Sequence, residues 1–326
     1  MARFEILVTH PFLDQPGLGM LEEAGCTVHF LTPDGGRAEM ERLLATIPFD
    51  GVLSRIIPIS AEAMARCPTI RVISRAAAGH DNVDVKAATA QGIAVLTAVG
   101  ANAQSVAEYA IGMMLTVARN IARHNAAIQL GGWERGRLGL ELRGRRLGLV
   151  GSGRIAQATA QMALGLGMRV AAWSPNIAAR GDMGAVGRAA SLHELIGMSD
   201  VLSLHAPLSE KSRNMIGAAE LALMGKETIL INTGRGGLVD EVALAEALRE
   251  GRIWGAGIDV LTQEPPPADH PLLGLPNAVL SPHVGAATTV ARAATSETAA
   301  RHLLDILLGR TPPAAAMVNP DVLRRG

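Results

Sequence analysis

Short, strongly apolar runs alternate with amphipathic stretches along most of the 326-residue chain. In the first hundred residues EILVTH, TVHFL, GVLSR, RVISRAA and IAVLT are separated by segments such as AEMERLLATI and SAEAMARC, whose apolar residues recur at helical spacing. That rhythm predicts βα repeats and a mainly parallel sheet. From Asn102 to about His124, AQSVAEYAIGMMLTVARNIARH carries a wide apolar stripe and predicts one long helix, with GGWERGR after it as a polar loop. A second series then begins: RRLGLV, MRVAAW, DVLSLH, TILINT, GAGIDV and AVLSPH. Each is nearly all apolar, as strands covered on both faces should be. The final stretch, ARAATSETAARHLLDILLGR, predicts a helix that stops at Gly309 ahead of Pro312 and Pro313. The pattern alone does not say which series this helix packs on.

Composition narrows the class. With 48% hydrophobic residues the chain can bury a large core, and its length suits two α/β domains better than one. Lys+Arg and Asp+Glu both number 30, so nothing draws the whole molecule toward nucleic acid or a membrane, and a small-molecule ligand is the expectation. MARFEILVTH runs straight into a strand, without the features of an export signal. No apolar run approaches the roughly 18 to 20 residues of a membrane span. Cys26 and Cys67 are the only cysteines, without spacing for a disulfide framework or a metal, and suit a reducing cytoplasm. No metal site is expected.

The segment LGLVGSGRIAQATAQMALGLGMRVAAWSPN places Gly151 directly after a predicted strand and Gly153 before a predicted helix. In such a turn glycines let the backbone approach a pyrophosphate, and the helix start offers free N–H groups. Ala156 holds the third position, where close helix-to-strand packing tolerates alanine. An acid that binds the ribose hydroxyls of NAD is expected roughly 20 residues beyond the turn; Ser174 stands there. A serine does not repel a 2′-phosphate, though Pro175 and Asn176 bring no cation and Arg180 is the nearest one. The expectation is a dinucleotide site for NADP or NAD, with dual use or a slight lean to NADP.

Three further segments lie where ligands bind in such sheets, beyond the carboxyl ends of strands. TILINTGRGGLVDE puts Arg235 in a glycine-rich loop, GAGIDVLTQEPPP puts Asp259 inside a strand end and Glu264 beyond it, and AVLSPHVGAAT puts His283 just after a strand. Taken singly these could be a surface ion-pair partner, a solvated acid and a capping histidine. Together they suit reduction of a 2-keto acid, which needs a cation for its carboxylate and carbonyl oxygen and a proton donor. Glu264 could pair with His283, favouring the imidazolium and fixing its tautomer.

The order GSGRIA, NTGRGGLVDE, DVLTQEPPP, SPHVGAAT resembles the D-isomer-specific 2-hydroxyacid dehydrogenases, which include phosphoglycerate dehydrogenases and glyoxylate/hydroxypyruvate reductases. The resemblance takes in SRAAAGHDNVD, GANAQSVAE, GGWERGR and MVNP, and so covers nearly the whole chain. It implies that Arg235 binds and polarises the keto acid, that His283 exchanges the proton with the carbonyl oxygen, and that Glu264 supports the imidazolium. Asp259 and Thr233 would be nicotinamide-side contacts, Arg154 and Ile155 would belong to the pyrophosphate loop and Ala206 and Pro207 to the wall near the adenosine, with Gly234, Arg235, His283, Gly285 and Ala286 as further cofactor contacts. Ala77, Ala78 and Gly79 match a loop whose backbone N–H groups hold the substrate carboxylate. Arg55 matches a position that can approach a substrate phosphate. Departures are Ala77 where glycine is frequent, His80 where an apolar residue is usual, and Ser174; His80 reads as a structural or solvated residue or a substrate contact.

The implied architecture is two doubly wound parallel-sheet domains: a flavodoxin-like substrate domain, residues 1–99 with 287–326, and a Rossmann cofactor domain, residues 100–286. The active site would be the cleft between them, with hinges near 98–101 and 286–292. A homodimer through the cofactor domain is also implied, and the length leaves no room for the regulatory domain of some phosphoglycerate dehydrogenases. The expected activity is a glyoxylate/hydroxypyruvate-type reductase. The alternatives are 3-phosphoglycerate dehydrogenase, which Arg55 supports, and a nucleotide-sensing co-repressor without catalysis.

Overall fold

The computed structural model describes residues 4–177 and 184–324. These fall into two compact units, one from the stretches up to Asn102 and from Ala287 onward, the other spanning Ala103–Ala286.

In the first unit the apolar runs become β1 (Glu5–Val8), β2 (Thr27–Phe30), β3 (Gly51–Ser54), β4 (Val72–Arg75) and β5 (Ala94–Thr97). They pair in parallel in the order β2-β1-β3-β4-β5, the flavodoxin-like arrangement. Every residue of β3, β4 and β5 is buried, which explains why these runs show no polar alternation. The helix Thr289–Leu307 lies on one face: Ala299, Ala300 and Leu303 share a core with Ile6, Leu53 and Val72. It therefore belongs with the first series, which its own pattern could not show. Thr288 caps it by accepting from the Ala291 N–H. The segment after it returns to β5, where the Asn319 carboxamide accepts from Val95 N–H at 2.8 Å and donates to Ile93 O at 2.9 Å.

In the second unit the strands are β6 (Arg146–Val150), β7 (Arg169–Trp173), β8 (Gly187–Arg188), β9 (Val201–Leu204), β10 (Ile229–Asn232), β11 (Gly255–Ile258) and β12 (Ala278–Leu280). Their order is β12-β11-β10-β9-β6-β7-β8, all parallel. The chain winds outward in both directions from the β6–β9 pair, and at such a switch point the loops after the two strands part to leave a crevice. Strand β8 has only two residues, too few to show a period in the sequence. No helix among the described residues is long and apolar enough to cross a membrane.

One predicted element differs. The single helix expected from Asn102 to about His124 is two, Ala103–Ala118 and Ile121–Gln129. Asn120 interrupts it at φ 54°, a left-handed conformation that asparagine tolerates better than most residues. Its Nδ2 donates to Leu138 O at 3.3 Å, and Leu140 N–H reaches Ala118 O at 2.7 Å, so the following loop satisfies the broken end. The apolar stripe runs through the break because hydrophobicity does not report backbone φ. The first helix buries Val106, Ala110, Met113 and Met114, whereas the second buries no residue.

Candidate active site

At the switch point Gly151 follows β6, with its N–H on Trp173 O at 2.7 Å. Its φ is +120°, and a Cβ there would stand 2.6 Å from His205 O, so only glycine fits. Gly153 begins the helix Arg154–Gly165 without a side-chain cap, and the space its Cβ would occupy is open. The N–H groups of Arg154, Ile155 and Ala156 precede the first helical bond, from Gln157 N–H to Gly153 O at 3.0 Å. Donors left free at a helix start, with the partial positive charge there, are what a pyrophosphate requires. Ala156 is buried against Leu147 and Leu149, the close packing expected of the third position.

Ser174 follows β7, its Oγ 3.0 Å from Ser152 Oγ. Two hydroxyls thus stand where an acid was expected. Arg180 lies outside the described residues. Ala206 is half-buried and Pro207 exposed in the loop after β9. Between strand and loop sits His205, with Nε2 3.0 Å from Ser203 Oγ and Nδ1 buried without a partner among the described residues. Burial pushes its imidazole down to about 4.

Beyond β10 the Asn232 side chain closes the turn: Oδ1 accepts from Gly234 N–H at 3.0 Å and Nδ2 donates to Arg235 O at 2.8 Å. A Cβ on Gly234 would lie 3.1–3.4 Å from Leu238 Cδ1, Leu204 O and Ala206 O. Thr233 is buried and its hydroxyl has no partner among the described residues, an unmet polar group of the kind that a bound ligand satisfies. Arg235 is extended, at φ −144° and ψ 145°, and its Nη1 donates to Gly234 O at 2.7 Å.

Asp259 lies one residue past β11, rather than inside the strand as its sequence suggested. It is 2% exposed and makes the central contacts of this edge. Its Oδ1 accepts from Ser281 Oγ at 2.7 Å and Val284 N–H at 2.9 Å, and Oδ2 accepts from Gly285 N–H at 2.8 Å. Its carbonyl takes the His283 N–H at 2.7 Å. The loop 281–285 is thereby wrapped around one carboxylate, with His283 at φ 55°. Gly285 has only limited room for a side chain, since a Cβ would meet Asp259 Oδ2 at 3.0 Å. Ala286 ends the unit.

His283 Nδ1 is 2.8 Å from Glu264 Oε2, and Glu264 Oε1 accepts from Leu261 N–H at 3.0 Å. An ionised carboxylate only accepts, so Nδ1 carries a proton and Nε2 is left to exchange one. Both side chains keep water access, at 48% for His283 and 40% for Glu264. Arg235, Asp259, Glu264 and His283 all stand at the carboxyl edge of the same sheet.

In the first unit, Arg55 follows β3 with its guanidinium 5.9 Å from the centre of the Phe12 ring. Arg292 lies 4.8 Å from the same ring and pairs with Asp14 at 2.8 Å. Partial burial, and then the neighbouring Arg292, lower the proton affinity of Arg55. Ala77, Ala78 and Gly79 form an irregular loop after β4, and His80 is exposed beside it. Arg75 was not singled out by sequence. It is 6% exposed and donates to Arg55 O, to Ser54 Oγ at 3.3 Å and to Gly79 O at 3.0 Å, so it ties the two loops together. A cation ending an otherwise apolar strand was the available signal. The resemblance marks Asp259 as a cofactor contact, and its part in anchoring His283 has no sequence signal.

The model for the D-isomer specific 2-hydroxyacid dehydrogenase NAD-binding domain matches residues 111–285. A glyoxylate reductase of Thermofilum pendens is 37% identical over 333 residues, 99% of this chain and 97% of that protein. A D-3-phosphoglycerate dehydrogenase of Methanocaldococcus jannaschii is 39% identical over 308 residues, 94% of this chain, which spans 58% of that protein's length. The NADPH-dependent glyoxylate/hydroxypyruvate reductase of Sinorhizobium meliloti, solved with NADP and malonate, superposes at a TM-score of 0.84 with 29% identity, covering 97% of each chain. The chain belongs to the D-isomer specific 2-hydroxyacid dehydrogenases, NAD(P)-dependent oxidoreductases.

Two consequences are measurable. Asp259→Asn places an amide donor among three donors; unfolding in urea should show a loss of about 1–3 kcal/mol. Its kcat should fall at least about tenfold as His283 loses its anchor. His205 is held neutral in the folded state, whereas in the unfolded chain it takes a proton near 6.5. Folding stability should therefore be lost as pH falls from about 6.5 toward about 4, and His205→Asn should show a shallower loss across that window. Parallel pH profiles for the two proteins would refute this origin.

Proposed function

We propose that this chain transfers hydride between a nicotinamide nucleotide and C2 of a small 2-keto or D-2-hydroxy acid, as a glyoxylate/hydroxypyruvate reductase. The observation that carries the reading is the 2.8 Å His283–Glu264 pair on the sheet edge that also bears Arg235. The bound nicotinamide supplies the hydride in reduction and takes it back in oxidation. Arg235 holds the carboxylate and draws charge onto the carbonyl oxygen, where negative charge develops. His283 gives its Nε2 proton to that oxygen as C2 becomes tetrahedral, and reclaims it in the reverse direction. Glu264 keeps the ring oriented and compensates the imidazolium. The N–H groups of Ala77, Ala78 and Gly79 are the proposed donors to the substrate carboxylate, and Arg55 the proposed contact for a substrate phosphate.

The nucleotide-binding residues fit either NAD or NADP. The helix start at Arg154 and Ile155 takes the pyrophosphate, behind Gly151 and Gly153. The Ser152–Ser174 hydroxyl pair takes the adenosine ribose beside Ala206 and Pro207. Thr233, Gly234, Asp259, Gly285 and Ala286 line the nicotinamide side. With no carboxylate at position 174, nothing there repels a 2′-phosphate, and NADPH is the favoured partner. The NADP carried by the Sinorhizobium meliloti reductase supports this preference.

A specific observation favours 3-phosphoglycerate dehydrogenase as the second reading. Arg55 and Arg292 bring two cations to one ring beside a single carboxylate, Asp14, an arrangement suited to a phosphate. The reductase reading is preferred because the Thermofilum pendens glyoxylate reductase matches over 97% of its length.

A homodimer is part of the proposal. Leu130, Trp133 and Leu138 are 88%, 72% and 82% exposed on one segment, and Ile121 and Ile128 add apolar surface on the helix before it. Such surface suits burial against a second copy. Light scattering should give twice the chain mass, and a monomer at micromolar concentration would refute the pairing.

Steady-state assays with NADPH and NADH, each against glyoxylate, hydroxypyruvate and 3-phosphohydroxypyruvate, test the assignment. The reductase reading expects the highest kcat/KM with NADPH and an unphosphorylated acid, and His283→Ala should abolish turnover while sparing nucleotide binding. NADH with the phosphorylated acid as the best pair, sensitive to Arg55→Ala, would establish the second reading. Undiminished turnover in His283→Ala would remove the proposed acid.

A further inference from the structure

Glu241 ends the NTGRGGLVDE segment that carries Arg235, and none of the chemistry above uses it. It opens the helix Glu241–Arg249, whose cap is already provided by Asp240, accepting from Val242 and Ala243 N–H at 3.0 Å. The Glu241 side chain is turned instead toward the irregular stretch after β11. Its Oε1 accepts from Thr262 N–H at 2.7 Å and Thr262 Oγ1 at 3.0 Å, and its Oε2 meets His270 Nε2 at 3.0 Å. The pair is largely withdrawn from water, with His270 at 6% and Glu241 at 12% exposure. Leu272 N–H donates to His270 Nδ1 at 3.4 Å, which leaves Nε2 as the protonated nitrogen facing the carboxylate. At the other end of the helix Arg249 donates to Pro271 O at 2.8 Å.

These contacts bracket Glu264. The stretch has no regular secondary structure between β11 and β12, so no strand ladder holds it in place. Besides the core packing of Leu261 and Leu272 and the Arg249 bond to Pro271 O, it is held by side-chain bonds at Thr262 and His270, both made by one carboxylate. The same stretch is pressed against the Arg235 loop at Leu261, since a Cβ on Gly236 would fall 2.0 Å from the Leu261 carbonyl carbon.

We propose that Glu241 and His270 are positioning residues for the proton-transfer pair. Their clamp fixes both ends of the loop that presents Glu264 to His283, and joins that loop to the segment that presents Arg235. A carboxylate serves here because three donors converge on it, and a charged acceptor makes the stronger bonds. The inference rests on the reading of Glu264 and His283 as the acid–base pair.

The test compares Glu264→Gln, His270→Leu, His270→Gln and Glu241→Gln, with His270→Leu also made in the Glu264→Gln protein. In folded His270→Leu, kcat should fall by about 10- to 100-fold while the NADPH Kd stays within about twofold. His270→Gln keeps a donor near the Nε2 position and should restore most of the rate. In the Glu264→Gln protein, the same His270→Leu change should cost less than about threefold more, because the carboxylate it positions is gone. Should His270→Leu fail to fold, Glu241→Gln gives the same readings, since it keeps an acceptor for Thr262 but sets an amide donor against His270. A fully active clamp variant beside a slow Glu264→Gln, or an undiminished clamp effect in the Glu264→Gln protein, would overturn the clamp alone. Full turnover in Glu264→Gln would overturn the acid–base reading and the clamp's role with it.

Discussion

A buried carboxylate organises the candidate site. Asp259 accepts from the Ser281 hydroxyl and from two backbone N–H groups of the loop after β12, and its own carbonyl takes a third N–H, that of His283. A charge at 2% exposure is tolerable only when its oxygens are hydrogen-bonded, and the loop supplies donors only when folded around it. The two requirements lock together. The lock leaves His283 in a left-handed conformation, and its imidazole reaches Glu264 from there. Strain at that residue is sustained because the surrounding bonds over-determine the loop.

The parallel sheet explains why these groups share one edge. All seven strands of the second unit run in one direction, so the segments that follow β6, β9, β10, β11 and β12 emerge on the same side. The strands are largely apolar, with Ser203 and Asn232 as polar members near their ends, and the polar chemistry gathers there and at the first residues beyond: Gly151, His205, Thr233, Asp259 and Ser281. Close backbone approach recurs there. Gly151 against His205 and Gly236 against Leu261 bring loops into contact without an intervening side chain. The first unit follows the same logic, with the loops after β3 and β4 held together by the buried Arg75.

Much of the architecture was legible in the chain. Nearly unbroken apolar runs mark strands covered on both faces, and the glycines around 151 to 153 mark a turn that only a small set of backbones can make. Arg235, Glu264 and His283 were identifiable by chemical type and by their places after strands. The break at Asn120, the two-residue β8 and the anchoring part of Asp259 were not, because backbone φ, strand pairing and hydrogen-bond partners leave no mark on hydrophobic period.

What the sequence determined by itself was therefore the class of the fold and the chemical types of the groups that follow the strands, since periodicity and side-chain chemistry are local properties. Tertiary structure decided the rest. It set the Thr289–Leu307 helix against the first sheet, brought Ser152 within 3.0 Å of Ser174, and closed one carboxylate around the His283 loop and another, Glu241, around the ends of the Glu264 loop. Those hydrogen bonds join residues 21 to 29 positions apart, and only the packed chain brings their donors and acceptors within reach.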